Sequence, residues 1–157
     1  MGNIFSGSEV VELGIQIEKN GRDFYSTLAA ASKNEESRAV FQRLAQEEEK
    51  HIAVFRGILE KAGASDVIQP YSDEYAAYMQ ALASETVFTR KDTGRQIAAK
   101  VKSEKEAFEL GIGFEKDSIV FYEGIKKAVA QYDHKIIDEL IQQEQEHLRL
   151  LLKLKNR

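Results

Sequence analysis

Two copies of a Glu-x-x-His motif are the residues of this sequence best suited to chemistry. Glu48 with His51 forms the first copy, and Glu144 with His147 forms the second. Residues three apart share one face of an α-helix, so each motif can direct a carboxylate and an imidazole to one point. Oxygen and nitrogen ligands without sulfur suit iron or manganese, and they suit zinc less well. A single such motif is common on exposed helices, so it needs independent support.

An internal repeat supplies that support and adds one further glutamate to each motif. The aligned segments are 17–25 with 114–122, and 46–51 with 142–147. Glu18 precedes Glu48 by 30 residues, and Glu115 precedes Glu144 by 29. Two similar helical hairpins that face each other across a pseudo-twofold axis would produce this pattern.

Hydrophobic spacing selects the glutamates that face inward. Steps of three and four residues along a bundle seam lead from Leu44 to Glu48, whereas Glu47 and Glu49 fall outside this register. The alternative is that 47–49 forms an exposed charge run. By the same spacing Glu146 faces away from the seam.

A buried cluster of this composition needs a compensating charge. Burying one unpaired carboxylate costs several kcal/mol, and four neighbouring carboxylates also repel one another. Two divalent cations would cancel four carboxylates and leave neutral imidazoles as further ligands, which favours metals over a protonated cluster. The predicted ligands are Glu18, Glu48, His51, Glu115, Glu144 and His147.

Two tyrosines lie on the same seams as the single glutamates. Tyr25 and Tyr122 each follow a seam glutamate by seven residues, which is two helical turns. They are either core aromatics whose hydroxyl needs a partner, or donors to the ligating carboxylates with a redox role open to them.

Four long amphipathic segments are predicted to position these side chains. They are expected at about 8–32, 34–62, 103–130 and 133–155. Ser6 with Glu9 and Ser103 with Glu106 have capping-box spacing at two helix starts, and Gly63 is expected to end the second helix. At roughly 25 residues each, such helices are ~37 Å long.

The arrangement predicted from these segments is all-α. It is an antiparallel four-helix bundle of one domain, residues 1–157, built from two pseudo-symmetric helical hairpins at 8–62 and 103–155. The crossover between them, 64–102, contains Pro70 and a short helix predicted from 73 to about 84, and a further turn is expected after Thr93. Tyr71, Tyr75 and Tyr78 of this crossover either form a dimer face, partner-docking site or lid, or simply cover the side of the bundle.

Composition excludes several function classes. The chain has 157 residues, with 22 Lys plus Arg against 26 Asp plus Glu, a net charge of −4 that argues against nucleic-acid binding. It contains no cysteine, which excludes thiolate metal sites and disulfides. Its apolar runs are far shorter than the ~20 residues that cross a bilayer, and its start is unlike a secretory signal. We therefore expect a soluble, cytoplasmic protein with no membrane partner.

The motifs together resemble the rubrerythrin branch of the ferritin-like di-iron carboxylate superfamily. The resemblance covers both hairpins and matches the crossover more loosely. It implies two iron ions, with manganese or zinc as substitutes, held between the hairpins. It also implies that Glu18 and Glu115 are terminal ligands and that Glu48 and Glu144 are bridging carboxylates. His51 and His147 would be the imidazole ligands.

Two departures from the family pattern bear on function. Rubrerythrins usually carry a rubredoxin-like iron module with four cysteines. Here reducing equivalents would come from a separate electron-donor protein, or turnover would be stoichiometric. They also carry an extra glutamate one turn after the third-helix ligand, where this chain has Ser118. The remaining set of four glutamates and two histidines is similar to that of bacterioferritin.

The leading functional prediction is a non-haem di-iron oxidoreductase that reduces hydrogen peroxide or dioxygen, with the six ligands as its catalytic residues. The alternatives are a ferroxidase that handles iron, and a metal-stapled interaction module without redox activity. A homodimer is the expected assembly.

Overall fold

Helices are the regular structure throughout the part of the chain that the structure, a computed structural model, describes, residues 6–66 and 72–157. Their bounds are α1 Gly7–Ala31, α2 Glu35–Asp66, α3 Asp73–Glu85, α4 Thr93–Ala99, α5 Glu104–Ile125 and α6 His134–Lys155. Short 3₁₀ turns occupy Val87–Thr89 and Gln131–Asp133. The all-α prediction is confirmed.

The four long helices form the ferritin-like bundle expected from the sequence. Helix α1 packs mainly on α2 and α5 packs mainly on α6, while α1 also meets α5 and α2 meets α6. The interior is aromatic and aliphatic, and it includes the fully buried Phe24, Phe55 and Phe121. Burial of such side chains contributes roughly 1.5–3 kcal/mol each and holds the hairpins together. None of the helices in the described residues is long and apolar enough to cross a membrane.

Helix starts follow the predicted capping residues in one case and depart from them in the other. The Ser6 side chain accepts the Glu9 amide and the Glu9 carboxylate accepts the Ser6 amide, so the α1 capping box is complete. At α5 the Ser103 hydroxyl accepts the Glu106 amide, but the Glu106 carboxylate accepts the Lys102 amide instead. The Glu106 carboxylate thus binds the backbone N–H one residue before the one that a capping box predicts.

Two predicted helix ends were wrong. Helix α2 passes Gly63 and continues to Asp66, because one glycine costs only about 1 kcal/mol within a helix. Helix α5 ends at Ile125 rather than 130. There the Tyr75 hydroxyl donates to the Gly124 carbonyl at 2.6 Å, and the Ala128 amide turns to Ile125 at 2.8 Å. The tighter i+3 bond ends the helix and starts the turn to α6.

The crossover is fastened to α1 by one buried asparagine that the sequence analysis did not single out. The Asn20 side chain donates to the Phe88 and Arg90 carbonyls, both at 2.6 Å, and accepts the Gly94 amide at 3.1 Å. A Cβ at Gly94 would lie 2.0 Å from the backbone oxygen of Asn20, so only glycine permits this approach of α4 to α1. The contact holds the crossover along the bundle.

The predicted crossover helix is observed as α3, and its tyrosines differ in exposure. Tyr75 is buried against α5, while Tyr78 is 49% exposed. Tyr75 therefore covers the side of the bundle. Pro70 and Tyr71 lie outside the described residues.

Candidate metal centre

All six side chains predicted to face inward are buried at the middle of the bundle. Helices α1 and α5 contribute one glutamate each, and α2 and α6 contribute one glutamate and one histidine each. Their relative exposures are 1–4%, for Glu18, Glu48, His51, Glu115, Glu144 and His147. Burying polar and charged side chains inside an apolar core costs free energy unless they are paired, so this layer needs groups that compensate its charge.

The structure shows which glutamate of 47–49 faces the interior, a point on which the sequence left two alternatives. Glu48 is 4% exposed, whereas the side chains of Glu47 and Glu49 are 25% and 56% exposed. Glu146 is exposed, as the seam spacing predicts. The 3.6-residue period of the helix thus places only the middle glutamate of 47–49 in the interior.

Two of the glutamates stand between the two histidines. Glu48 has one oxygen 3.6 Å from Nδ1 of His51 and the other 3.4 Å from Nδ1 of His147. Glu144 divides its oxygens in the same way, at 3.1 and 3.0 Å. Each carboxylate therefore faces both halves of the cluster, which is what a carboxylate that bridges two ions requires.

The other two glutamates each serve one half. Glu18 lies 3.4 Å from Nδ1 of His51, and Glu115 lies 3.6 Å from Nδ1 of His147. Two groups of candidate ligand atoms result, each lying within 4.8 Å of one another. One is Glu18, Glu48, His51 and Glu144, and the other is Glu48, Glu115, Glu144 and His147.

A tyrosine from the opposite hairpin donates a hydrogen bond to each of these two glutamates. The Tyr25 hydroxyl donates to Oε1 of Glu115, and the Tyr122 hydroxyl donates to Oε1 of Glu18. Both tyrosines are at most 1% exposed. Both tyrosines are therefore core aromatics whose hydroxyls donate to carboxylates of the cluster, and a redox role for them stays a prediction.

The outer nitrogen of each histidine meets a side chain that the sequence analysis missed. Nε2 of His51 faces Oε1 of Gln143 at 2.6 Å, and Nε2 of His147 faces Oε2 of Glu47 at 2.5 Å. Both partners precede a motif glutamate by one residue, so they occupy equivalent repeat positions. This equivalence in the repeat was the sequence signal that could have identified both partners. It was missed because position 47 was expected to be exposed.

Without a metal, protons balance the charge of the cluster. Burial, together with the neighbouring Glu48 and Glu144, raises the pKa of both Glu18 and Glu115 well above the ordinary value. Burial opposes the ionisation of Glu48 and Glu144, and the charge of Glu144 also opposes that of Glu48. Hydrogen bonding with Glu18 and both imidazoles nevertheless lowers the pKa of Glu48, and both imidazoles lower the pKa of Glu144.

The histidines of the metal-free site carry the compensating charge. Burial alone would lower the pKa of each imidazole, but the surrounding carboxylates outweigh it, and the pKa of both His51 and His147 is raised. The geometry agrees fully at His51, where both ring nitrogens lie within hydrogen-bond distance of an oxygen atom. At His147, Nε2 bonds to Glu47, while Nδ1 lies 3.0 Å from Oε2 of Glu144 without forming a hydrogen bond. These shifts favour a metal-free cluster in which two carboxylates balance two imidazolium groups.

Several buried polar atoms in the cluster lack a hydrogen-bond partner among the described residues, and all of them belong to candidate ligands. They are Oε2 of Glu18, Oε2 of Glu144 and Nδ1 of His147. An orphaned buried group costs about 1–3 kcal/mol, more when it is charged. A cation that accepts these lone pairs would remove that cost, and six oxygen and nitrogen donors fit iron or manganese.

Comparison with known proteins agrees with this geometry. The rubrerythrin family model matches residues 9–155. Among solved structures, the chain is similar to a Thermotoga maritima protein described as ferritin-like and diiron-carboxylate, with a TM-score of 0.71 and 27% identity. That match covers 100% of this chain and 99% of the other. No curated protein gives a significant match. With its buried Glu/His cluster and helical bundle, the chain belongs to the rubrerythrin family.

Proposed function

We propose that this protein is a non-haem di-iron oxidoreductase that reduces hydrogen peroxide or dioxygen. The observation that carries the proposal is the pair of ligand groups that share Glu48 and Glu144. Two ferrous ions held there would each give one electron, which, with two protons, reduces one hydrogen peroxide to two water molecules. Manganese or zinc would fit the same donors but changes or removes this redox chemistry.

The protein's own residues would position the ions, balance their charge and leave space beside one carboxylate. Glu48 and Glu144 would be shared by the two ions, Glu18 and Glu115 would each complete one half, and metal binding would displace the protons of the metal-free cluster. Tyr25 and Tyr122 keep the terminal carboxylates oriented.

Space beside one bridging carboxylate favours movement of that group as the charge of the ions changes. A Cβ at Gly21 would lie 3.4 Å from Cδ of Glu48, so glycine leaves the α1 side of this side chain open. An alanine there would reach van der Waals contact with the carboxylate. An alanine would therefore fit at this position, but it would narrow the space beside the Glu48 carboxylate.

The test is an anaerobic oxidation experiment. Metal-free protein is loaded with two ferrous ions per chain and mixed with hydrogen peroxide or with dioxygen. We expect one peroxide to be consumed per two ferrous ions, with a growing near-ultraviolet absorption band. Glu48→Gln and Glu144→Gln should abolish this reaction, whereas Glu146→Gln, an exposed charge change on α6, should retain it. Absence of any spectral change with either oxidant refutes the proposal.

A ferroxidase that handles iron is the second candidate. Ser118 favours it, because this buried residue turns its hydroxyl to the Phe114 carbonyl at 2.9 Å and adds no carboxylate to the cluster. The set of four glutamates and two histidines is thus complete without a further acid. Uptake of far more than two irons per chain, together with a large assembly on sizing, would favour this function over peroxide reduction.

The source of electrons for repeated turnover is a separate donor protein in this proposal. The 157 residues contain no cysteine, so they cannot hold a four-cysteine iron centre. A chemical reductant should therefore sustain turnover, and the protein alone should complete one round of two electrons.

A further inference from the structure

The two halves of the cluster differ in the group that supports each histidine. His147 donates its Nε2 proton to the carboxylate of Glu47 at 2.5 Å, whereas His51 donates to the amide oxygen of Gln143 at 2.6 Å. The lengths are nearly equal, so the difference is one of charge. A carboxylate partner makes the imidazole a stronger electron donor at its other nitrogen than a neutral amide does.

Arg43 orients Glu47 toward His147. Nε of Arg43 donates to Oε1 of Glu47 at 2.8 Å, one helical turn before it, which leaves Oε2 directed at His147. The residue at the equivalent repeat position on α6 is Glu139, which has the wrong charge to support a carboxylate at 143. The sequence therefore builds an Arg43–Glu47–His147 chain on one side and only an amide on the other.

The charge of Glu47 favours the same ligand group as its hydrogen bond does. The Glu47 side chain is one-quarter exposed and faces the outer side of His147, so it places a carboxylate, partly balanced by the Arg43 guanidinium, beside the ligand group of His147. An ion bound beside His147 gains this attraction, and an ion beside His51 does not.

From this geometry we infer that the two metal positions are unequal, and that the position of Glu48, Glu115, Glu144 and His147 is filled first because Glu47 supports its histidine. This inference rests on the metal site of the proposed function. Partners of this kind typically change metal affinity by about 10–100-fold, so we expect the first ion to bind at least about tenfold more tightly than the second.

The test is an equilibrium titration of metal-free protein with Co²⁺, followed by cobalt absorption and calorimetry. Wild type should show two steps. Glu47→Gln should weaken the first step about tenfold and bring the two together, and Gln143→Glu should strengthen the second. The double variant Glu47→Gln/Gln143→Glu should restore two steps, with the first ion beside His51 in an anomalous diffraction map.

Controls separate this inference from the alternatives. Glu60→Gln carries the same charge change at an exposed position of α2, the helix of Glu47, and should leave both steps unchanged. Repulsion between two bound ions would also separate the steps, but equally in every variant. An unchanged separation in Glu47→Gln, with circular dichroism of the metal-free variant like wild type, overturns the inference. So does a first ion beside His147 in the double variant. No cobalt binding by wild type overturns the proposed metal site itself.

Discussion

Loading the cluster with two divalent ions should release four protons per chain. In the metal-free protein the raised pKa values keep Glu18 and Glu115 protonated and keep both histidines cationic. Glu48 and Glu144, whose pKa values are lowered, are ionised and balance the two imidazolium charges. With four ionised carboxylates and two neutral imidazoles, two divalent ions again give a neutral cluster. Each ion therefore replaces two protons.

The number follows from the need to keep a buried site neutral. A net charge at this depth would cost several kcal/mol, so partial exchange is disfavoured. Two protons per ion mean that the apparent dissociation constant falls by about 100-fold for each unit of pH around neutrality.

Calorimetric titration in buffers of different ionisation enthalpy measures this release directly. Co²⁺ added to metal-free protein should give a buffer-dependent heat that corresponds to four protons per chain, and Glu146→Gln should give the same value. Release of two protons or fewer would show that the imidazoles, or the terminal carboxyls, are already deprotonated. The charge balance proposed for the metal-free site would then be wrong.

Other expected outcomes concern stability and ligand orientation. Asn20→Ala removes three hydrogen bonds that fasten the crossover and should lower the free energy of unfolding by roughly 3 kcal/mol, at about 1 kcal/mol per bond, in urea denaturation. Gly94→Ala should cost about 2 kcal/mol or more through its backbone clash, and an unchanged urea midpoint in either variant would contradict the account. Tyr122→Phe should weaken binding of the ion beside His51 about tenfold while the stoichiometry stays at two, which a cobalt titration checks. Because the pKa values of two carboxyls and two imidazoles are raised in the folded state, the metal-free protein should lose stability as pH rises above 4.5, and lose it faster above 6.5. Urea midpoints measured with a chelator that rise over this range would contradict that sign.

The inward direction of the ligands could be predicted because one helical period governs it. Glu48 shares a face with Leu44, and the repeat then fixes Glu144 by alignment. The bridging arrangement of these two glutamates was implied only by family resemblance, since spacing along one helix says nothing about the distance to another. Their divided oxygens became visible only once four helices were placed together.

Features that depend on contacts between segments far apart in the sequence could not be predicted from it. Glu47 and His147 are 100 residues apart, and Asn20 and Gly94 are 74 apart. Neither pair has a local pattern, and both Glu47 and Asn20 resemble ordinary polar residues of a helix surface. The end of α5 escaped for the same reason, because the side chain that binds the Gly124 carbonyl comes from the crossover.

Anomalous diffraction from crystals loaded anaerobically with ferrous ion tests the central claim most directly. We predict two iron peaks inside the bundle, both within coordination distance of Glu48 and Glu144, with one beside His51 and the other beside His147. Iron found only at exposed carboxylates, with these side chains free of metal, would contradict the account.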